Sequence, residues 1–198
     1  MAAIFDNLTD PKLIKQLQAG AVGVLPTDTV YGLVCIVSDP TAVKRLYSLK
    51  KCQHKPGTII AANIDQLVEL GLKRRYLTAV EQFWPGPVSV VLILSDPEKT
   101  YLLEGLPDIA VRIPSDKKLH LLLQKTGPLL TTSSNEPNKI PAAVIQEAEV
   151  CFGHKVDFYV DGGDLSGRKP STIIRIVDDA VEVIRPGAVK IGNNGVVK

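Results

Sequence analysis

Two threonine hydroxyls and a carboxylate fall within three residues, Thr27-Asp28-Thr29, inside the segment Leu25-Pro26-Thr27-Asp28-Thr29-Val30-Tyr31-Gly32-Leu33. Such oxygens supply donors and acceptors for a small polar ligand, and turn residues at strand ends are a usual place for a site. The same residue types also cap turns through bonds to their own backbone, so residue type alone leaves a ligand loop and a capped turn both open. A second polar stretch, Thr131-Thr132-Ser133-Ser134-Asn135, follows apolar Pro128-Leu129-Leu130 and reads as the polar lining of a cavity. Arg112 stands among apolar neighbours in Ile109-Ala110-Val111-Arg112-Ile113-Pro114. A guanidinium so placed is either ion-paired or faces a cleft, because burying it uncompensated is costly. Lys50-Lys51-Cys52-Gln53-His54-Lys55-Pro56-Gly57 gathers cations that suit a phosphate, or form an ordinary solvated charge run.

Other chemistries find no support. The glycine-rich loop Asp161 to Pro170 lacks the Gly-x-x-x-x-Gly-Lys-Ser/Thr spacing of a P-loop. No Ser-His-Asp order or Cys-His pair is evident. Asp28 could accept a proton, but nothing in the sequence makes it a general base. Cys35, Cys52 and Cys151 are widely spaced with no Cys-x-x-Cys pair, which points to neither a disulfide framework nor a zinc site, and no protein-held metal is expected. The net charge of +2 is far from the Lys/Arg density of a dedicated nucleic-acid binder, although transient RNA contact stays open. No stretch of about 18 apolar residues occurs and the N-terminus carries no basic-then-apolar leader pattern. A soluble protein of the reducing cytoplasm is expected.

The elements that must position these residues alternate along the chain. Asp10-Pro11 and Asp39-Pro40 are helix starts, an N-cap acid before a proline at the first helical position. Short apolar runs at 21–25, 33–37, 58–62, 88–94, 109–114 and 156–160 read as strands, and helices are expected near 63–71, from about 76, over 116–125 and from Pro141 to Gly153. Trp84-Pro85-Gly86-Pro87 must end a helix. Asp178-Asp179 turns one strand, 171–177, into another, 181–184, so part of the sheet is antiparallel. With 198 residues, 45% of them hydrophobic, the expectation is one α/β domain over 1–198, core about 10–190. Its sheet should be twisted and mixed, with helices around it.

Pro26-Thr27-Asp28-Thr29-Val30-Tyr31-Gly32-Leu33 resembles the signature of the YrdC-like family, the threonylcarbamoyl-adenylate synthases that make the activated precursor of a tRNA modification. Further segments resemble the family in order from about residue 10 to 190: Trp84 to Pro87 before a strand, Val111-Arg112-Ile113-Pro114, Thr131 to Asn135, Gly162-Gly163 before Pro170-Ser171-Thr172, and Arg185-Pro186-Gly187. The basic loop departs from the family's Lys-x-Arg-Pro: Lys50 and Lys55-Pro56 match, Cys52 stands at the arginine, Gln53 at the proline, and one residue is missing. The resemblance is to the family's short form, whose fold has a concave ligand-binding face.

The resemblance implies that L-threonine, bicarbonate and ATP are joined to threonylcarbamoyl-AMP and pyrophosphate for N6-threonylcarbamoyladenosine at position 37 of tRNA. It assigns Thr27, Thr29, Arg112, Thr131 and Ser171 to threonine, and Lys50, Lys55, Ser133, Asn135 and Arg185 to ATP, with Lys50, Lys55 and Arg112 nearest the chemistry. Magnesium would accompany ATP. Partners would be tRNA and the downstream threonylcarbamoyl-transferase proteins, met transiently, and no membrane. A different class stays open, a non-catalytic RNA-binding or regulatory module on the same fold. So does carbamoyl transfer to another acceptor, as in the YrdC-like domains of larger hydrogenase-maturation proteins.

Overall fold

The computed structural model describes residues 2–50, 56–135, 139–178 and 180–192. Its strands are β1 (Ala3–Phe5), β2 (Gly23–Pro26), β3 (Tyr31–Ile36), β4 (Thr58–Ile60), β5 (Val88–Ile93), β6 (Asp108–Arg112), β7 (Leu129–Ser133), β8 (Phe158–Val160), β9 (Thr172–Val177) and β10 (Ala180–Arg185). The helices are α1 (Pro11–Gln18), α2 (Pro40–Lys50), α3 (Ile64–Glu69), α4 (Arg74–Ala79), α5 (Lys117–Thr126) and α6 (Ile145–Phe152). All ten strands join one sheet in the order β1-β8-β2-β3-β7-β4-β6-β5-β9-β10. The β2–β3, β3–β7, β4–β7, β5–β6 and β9–β10 pairs are antiparallel, and the rest are parallel. The expected mixed α/β sheet is what the chain forms.

Period-two alternation divides the core. On β3, Leu33 and Cys35 enter the apolar cluster on one face of the sheet, while Val34 and Ile36 enter the cluster on the other, and Leu129 and Leu130 of β7 split in the same way. A strand buried on both faces must be apolar throughout, hence the unbroken run in its sequence. Helix α2 packs its Val43, Leu46 and Tyr47 on the first face, and α1 and α5 cover the second with Leu13, Leu17, Leu119, Leu122 and Leu123.

The start signals act as expected. Asp10 Oδ1 accepts from the Lys12 N–H at 2.7 Å, Asp39 Oδ1 from Thr41 at 2.8 Å, Asn63 Oδ1 from Gln66 at 2.9 Å and Asp116 Oδ1 from Leu119 at 2.7 Å. Three expectations need correction. Strand β1 was not foreseen: three residues are too short for a period to declare itself, and β1 is held by parallel pairing to β8, distant in sequence. Helix α4 begins at Arg74, ahead of Tyr76. Helix α6 begins at Ile145, not Pro141, because residues 142 and 143 are tied elsewhere: the Ala142 N–H donates to Ser134 O and the Ala143 N–H to Glu147 Oε2.

Candidate active site

The ends of several strands meet around a cavity of 120 Å³ lined by Thr27, Thr29, Arg112, Thr131, Ser133, Ser171 and Arg185, with Gly32, Gly57 and Thr58 among the others. At about 30 Å³ per liquid water this holds roughly four waters, the scale of one small molecule. Residues two apart on a strand share a face, so Ala110 and Arg112 on β6, and Thr131 and Ser133 on β7, project together. Gly32 lies in register with Ser133, and a Cβ there would come 2.4 Å from Thr131 Oγ1. The missing side chain is what leaves the Thr131 hydroxyl room.

The turn between β2 and β3 is capped, and the cap itself sets proton directions. Thr27 Oγ1 lies 2.7 Å from Val30 O, 2.9 Å from Thr29 Oγ1 and 3.1 Å from Thr29 N. Because a hydroxyl has one proton and Thr27 donates it to Val30 O, Thr29 must donate to Thr27. What Thr29 Oγ1 can still offer is lone pairs, suited to an ammonium or hydroxyl of a ligand. The turn-cap reading holds, and the capped residues Thr27 and Thr29 also line the cavity.

Arg112 resolves likewise. Its Nη1 donates to Asp28 Oδ1, and the two side chains are 3% and 5% exposed. Asp28 Oδ2 also accepts from the Ser115 N–H at 3.1 Å, so this carboxylate is spent on holding Arg112 and the residues after β6. Arg112 Nε is buried with no partner among the described residues, while the residue lines the cavity. A second guanidinium, Arg185, donates to Ser171 O at 2.8 Å and more distantly to Ser171 Oγ, which lies 2.8 Å from Ser89 Oγ. Burial, and after it the positive charge of Arg112, push the Arg185 guanidinium below its ordinary pKa.

Lys50 and Asn135 stand beside the cavity rather than in its lining. Lys50 Nζ donates to Ser133 O and Asn135 O, both at 2.7 Å, and to Asn135 Oδ1 at 2.9 Å. Ser133 Oγ donates to the same amide oxygen at 2.6 Å, and Asn135 Nδ2 donates to Lys139 O. One buried ammonium thereby gathers the end of β7 and the residues after it. Lys55, Lys51 and Cys52 lie outside the described residues.

Sequence reasoning missed three contributors. Ser89 is a hydroxyl inside an apolar strand, a signal that was available. The role of Asp28 depends on a contact with β6, distant in sequence. The Tyr31 hydroxyl accepts from the Gly162 N–H and donates to Gly163 O, both at 2.8 Å, latching the glycine-rich loop that leads to Ser171. A larger open groove of 1010 Å³ lies past Ser115, with Trp84, Pro85, Pro114 and Leu121 among its walls, and it contains none of the residues that the resemblance assigns to threonine or ATP. No group of three or more His, Cys, Asp or Glu side chains placed to hold a metal ion occurs among the described residues.

The profile of the Sua5/YciO/YrdC family, described as "Telomere recombination", matches residues 15–187. The chain is 32% identical over 169 residues to the threonylcarbamoyl-AMP synthase of Vibrio campbellii, covering 82% of this chain and 91% of that one. It is 29% identical over 184 residues to the enzyme of the same name from Rattus norvegicus, covering 92% and 65%. Among solved structures it superposes on Pyrococcus abyssi Sua5 in complex with L-threonine at a TM-score of 0.83 and 26% identity, covering 96% of this chain and 58% of that one. It superposes on E. coli YciO at a TM-score of 0.81 and 25% identity, covering 94% and 96%. The chain therefore spans just under three-fifths of the archaeal Sua5.

Proposed function

Because the chain belongs to the Sua5/YciO/YrdC family, we propose that it is an L-threonylcarbamoyladenylate synthase, joining threonine, bicarbonate and ATP for tRNA N6-threonylcarbamoyladenosine synthesis. The observation that carries this reading is the convergence of Thr27, Thr29, Arg112, Thr131, Ser133, Ser171 and Arg185 on one small cavity, from five separate stretches of chain. The threonine carboxylate would take the guanidinium of Arg112, which lines the cavity, in a charge-assisted contact. The substrate's ammonium or hydroxyl would meet the lone pairs of Thr29, with Thr131 and Ser171 on the remaining sides.

The reaction asks for alignment more than for a nucleophile on the protein. The threonine amine adds to bicarbonate with loss of water, and a carbamate oxygen then attacks the α-phosphorus of ATP as pyrophosphate leaves. A second guanidinium, Arg185, and several hydroxyls around the same cavity suit the developing phosphate charge. Arg185 and Ser133 would face the nucleotide, with Lys55 reaching its phosphates from outside the described residues. Lys50 and Asn135 would act on ATP by holding the end of β7 in place. Asp28 is bound to Arg112 and Ser115 and is assigned no proton transfer. No carboxylate lines the cavity among the described residues, so magnesium would ride on phosphate oxygens and water, neutralising phosphate charge. We place the protein in the cytoplasm with tRNA and a threonylcarbamoyl transferase as its transient partners; no helix among the described residues is long and apolar enough to cross a membrane.

Calorimetry with threonine and its analogues tests the pocket. Threonine should bind, and analogues lacking the carboxylate or the hydroxyl should bind at least tenfold more weakly. Equal affinity for all three would remove the reading.

A further inference from the structure

We propose that Asp28 sets the charge selectivity of the anion pocket at Arg112: by pairing with Arg112 it leaves the described lining a single net positive charge, so that a monoanion is preferred to a dianion there. Two guanidiniums, Arg112 and Arg185, belong to the lining, and among the described residues no carboxylate does. Asp28 stands behind Arg112, bonded to its Nη1, and is held in turn by the Ser115 N–H. With both partners of the pair at most 5% exposed, little water screens them, and the carboxylate cancels the charge that it touches. Arg112 and Arg185 line the same small cavity, so both can act on an anion bound there.

The consequence for the proposed reaction is a sorting of its substrates. A carboxylate and a phosphate both suit a guanidinium, and the reaction brings one of each to the same cleft. Arg112, its charge offset by Asp28, takes the amino-acid carboxylate and leaves the phosphate groups, with their greater charge, to Arg185 and the rest of the site. Asp28 is in this account a positioning and selectivity residue acting through Arg112. The inference rests on the reading of Arg112 as the carboxylate ligand.

The test is competition against threonine by acetate and by sulfate at constant ionic strength, measured by calorimetry on the full chain, wild type and Asp28→Asn. Wild type should prefer acetate, and Asp28→Asn, nearly isosteric but neutral, should swing the acetate-to-sulfate preference toward sulfate by about tenfold or more. A merely structural role would weaken both competitors alike, and an unchanged ratio would overturn the proposal. So would a wild-type pocket that prefers sulfate. Asp28→Glu keeps the charge and should keep the wild-type order; a swing to sulfate there would also contradict it. Direct titrations with the two anions measure the same preference without threonine, so a failure of threonine to bind would sink the functional reading while the anions still decide this one.

Discussion

At the scale of single residues, what distinguishes this cavity is how many of its polar groups are already committed. Thr27 caps its turn and Ser171 meets Ser89 and Arg185, which leaves the Thr29 lone pairs, the Thr131 hydroxyl and the guanidinium of Arg112 for a ligand. Arg112→Lys should therefore cost more than a lost charge would, because an ammonium cannot serve Asp28 and a ligand in one plane. We expect about ten- to a hundredfold weaker threonine binding with ATP binding little changed, and the reverse for Arg185→Ala, both read by calorimetry. Equal losses of both ligands in both variants would mean that the two guanidiniums have been assigned wrongly. Residue identity made Arg112 conspicuous, as a charge in an apolar strand. Which of its two readings applied was invisible, since Asp28 is 84 positions away in sequence.

At the scale of elements, the hairpin β2–β3 organises the site twice. Gly32 makes room for Thr131 on one side, and Tyr31 anchors the glycine-rich loop on the other. Gly32→Ala would place a methyl group 2.4 Å from Thr131 Oγ1, and since that atom ends a short side chain, Thr131 should rotate out of the pocket. The expected result is a rise of about tenfold or more in the KM for threonine in a protein that still folds. An unchanged KM would show that Thr131 does not contact the substrate. Tyr31→Phe removes two hydrogen bonds at the loop, about 1–2 kcal/mol in all because the freed groups can turn to water, or roughly 2–8 °C in Tm. Limited proteolysis should then cut near 163–169 faster than in wild type. Helix starts were legible because a cap needs only its own side chain and the next turn. The edge strand β1 and the first residue of α6 were not, because both are decided by contacts far along the chain.

At the scale of the molecule, one mixed sheet carries the site, and its far side is tied by Asp157. This carboxylate accepts from Arg45 at 2.5 and 3.0 Å and from the Val22 N–H at 2.8 Å, joining α2, the approach to β2 and the approach to β8. Burial alone would raise its pKa, but the Arg45 hydrogen bond, the Val22 N–H and the charge of Arg45 outweigh it and hold it below its ordinary value. A lowered folded-state pKa contributes stability above the unfolded value, about pH 4, that is lost as pH falls through the folded value. Asp157→Asn should lower stability at neutral pH and flatten the loss below about pH 4 in denaturant titrations across pH, while activity per folded molecule stays the same. A variant with the wild-type acid limb would show that this pair does not contribute. The alternation of apolar runs and helix starts was enough to predict the α/β sheet. The strand order, which brings β7 between β3 and β4 and so assembles the cavity, was not readable from spacing alone.

The central claim is chemical, and one measurement meets it directly: purified protein with ATP, magnesium, bicarbonate and threonine, followed by mass spectrometry of the products. Threonylcarbamoyl-AMP and pyrophosphate should form together, only when all three substrates are present, and Arg112→Ala should abolish or sharply reduce both. No such product from a folded protein, together with no binding of threonine or ATP, would contradict the account and leave a non-catalytic role for this fold.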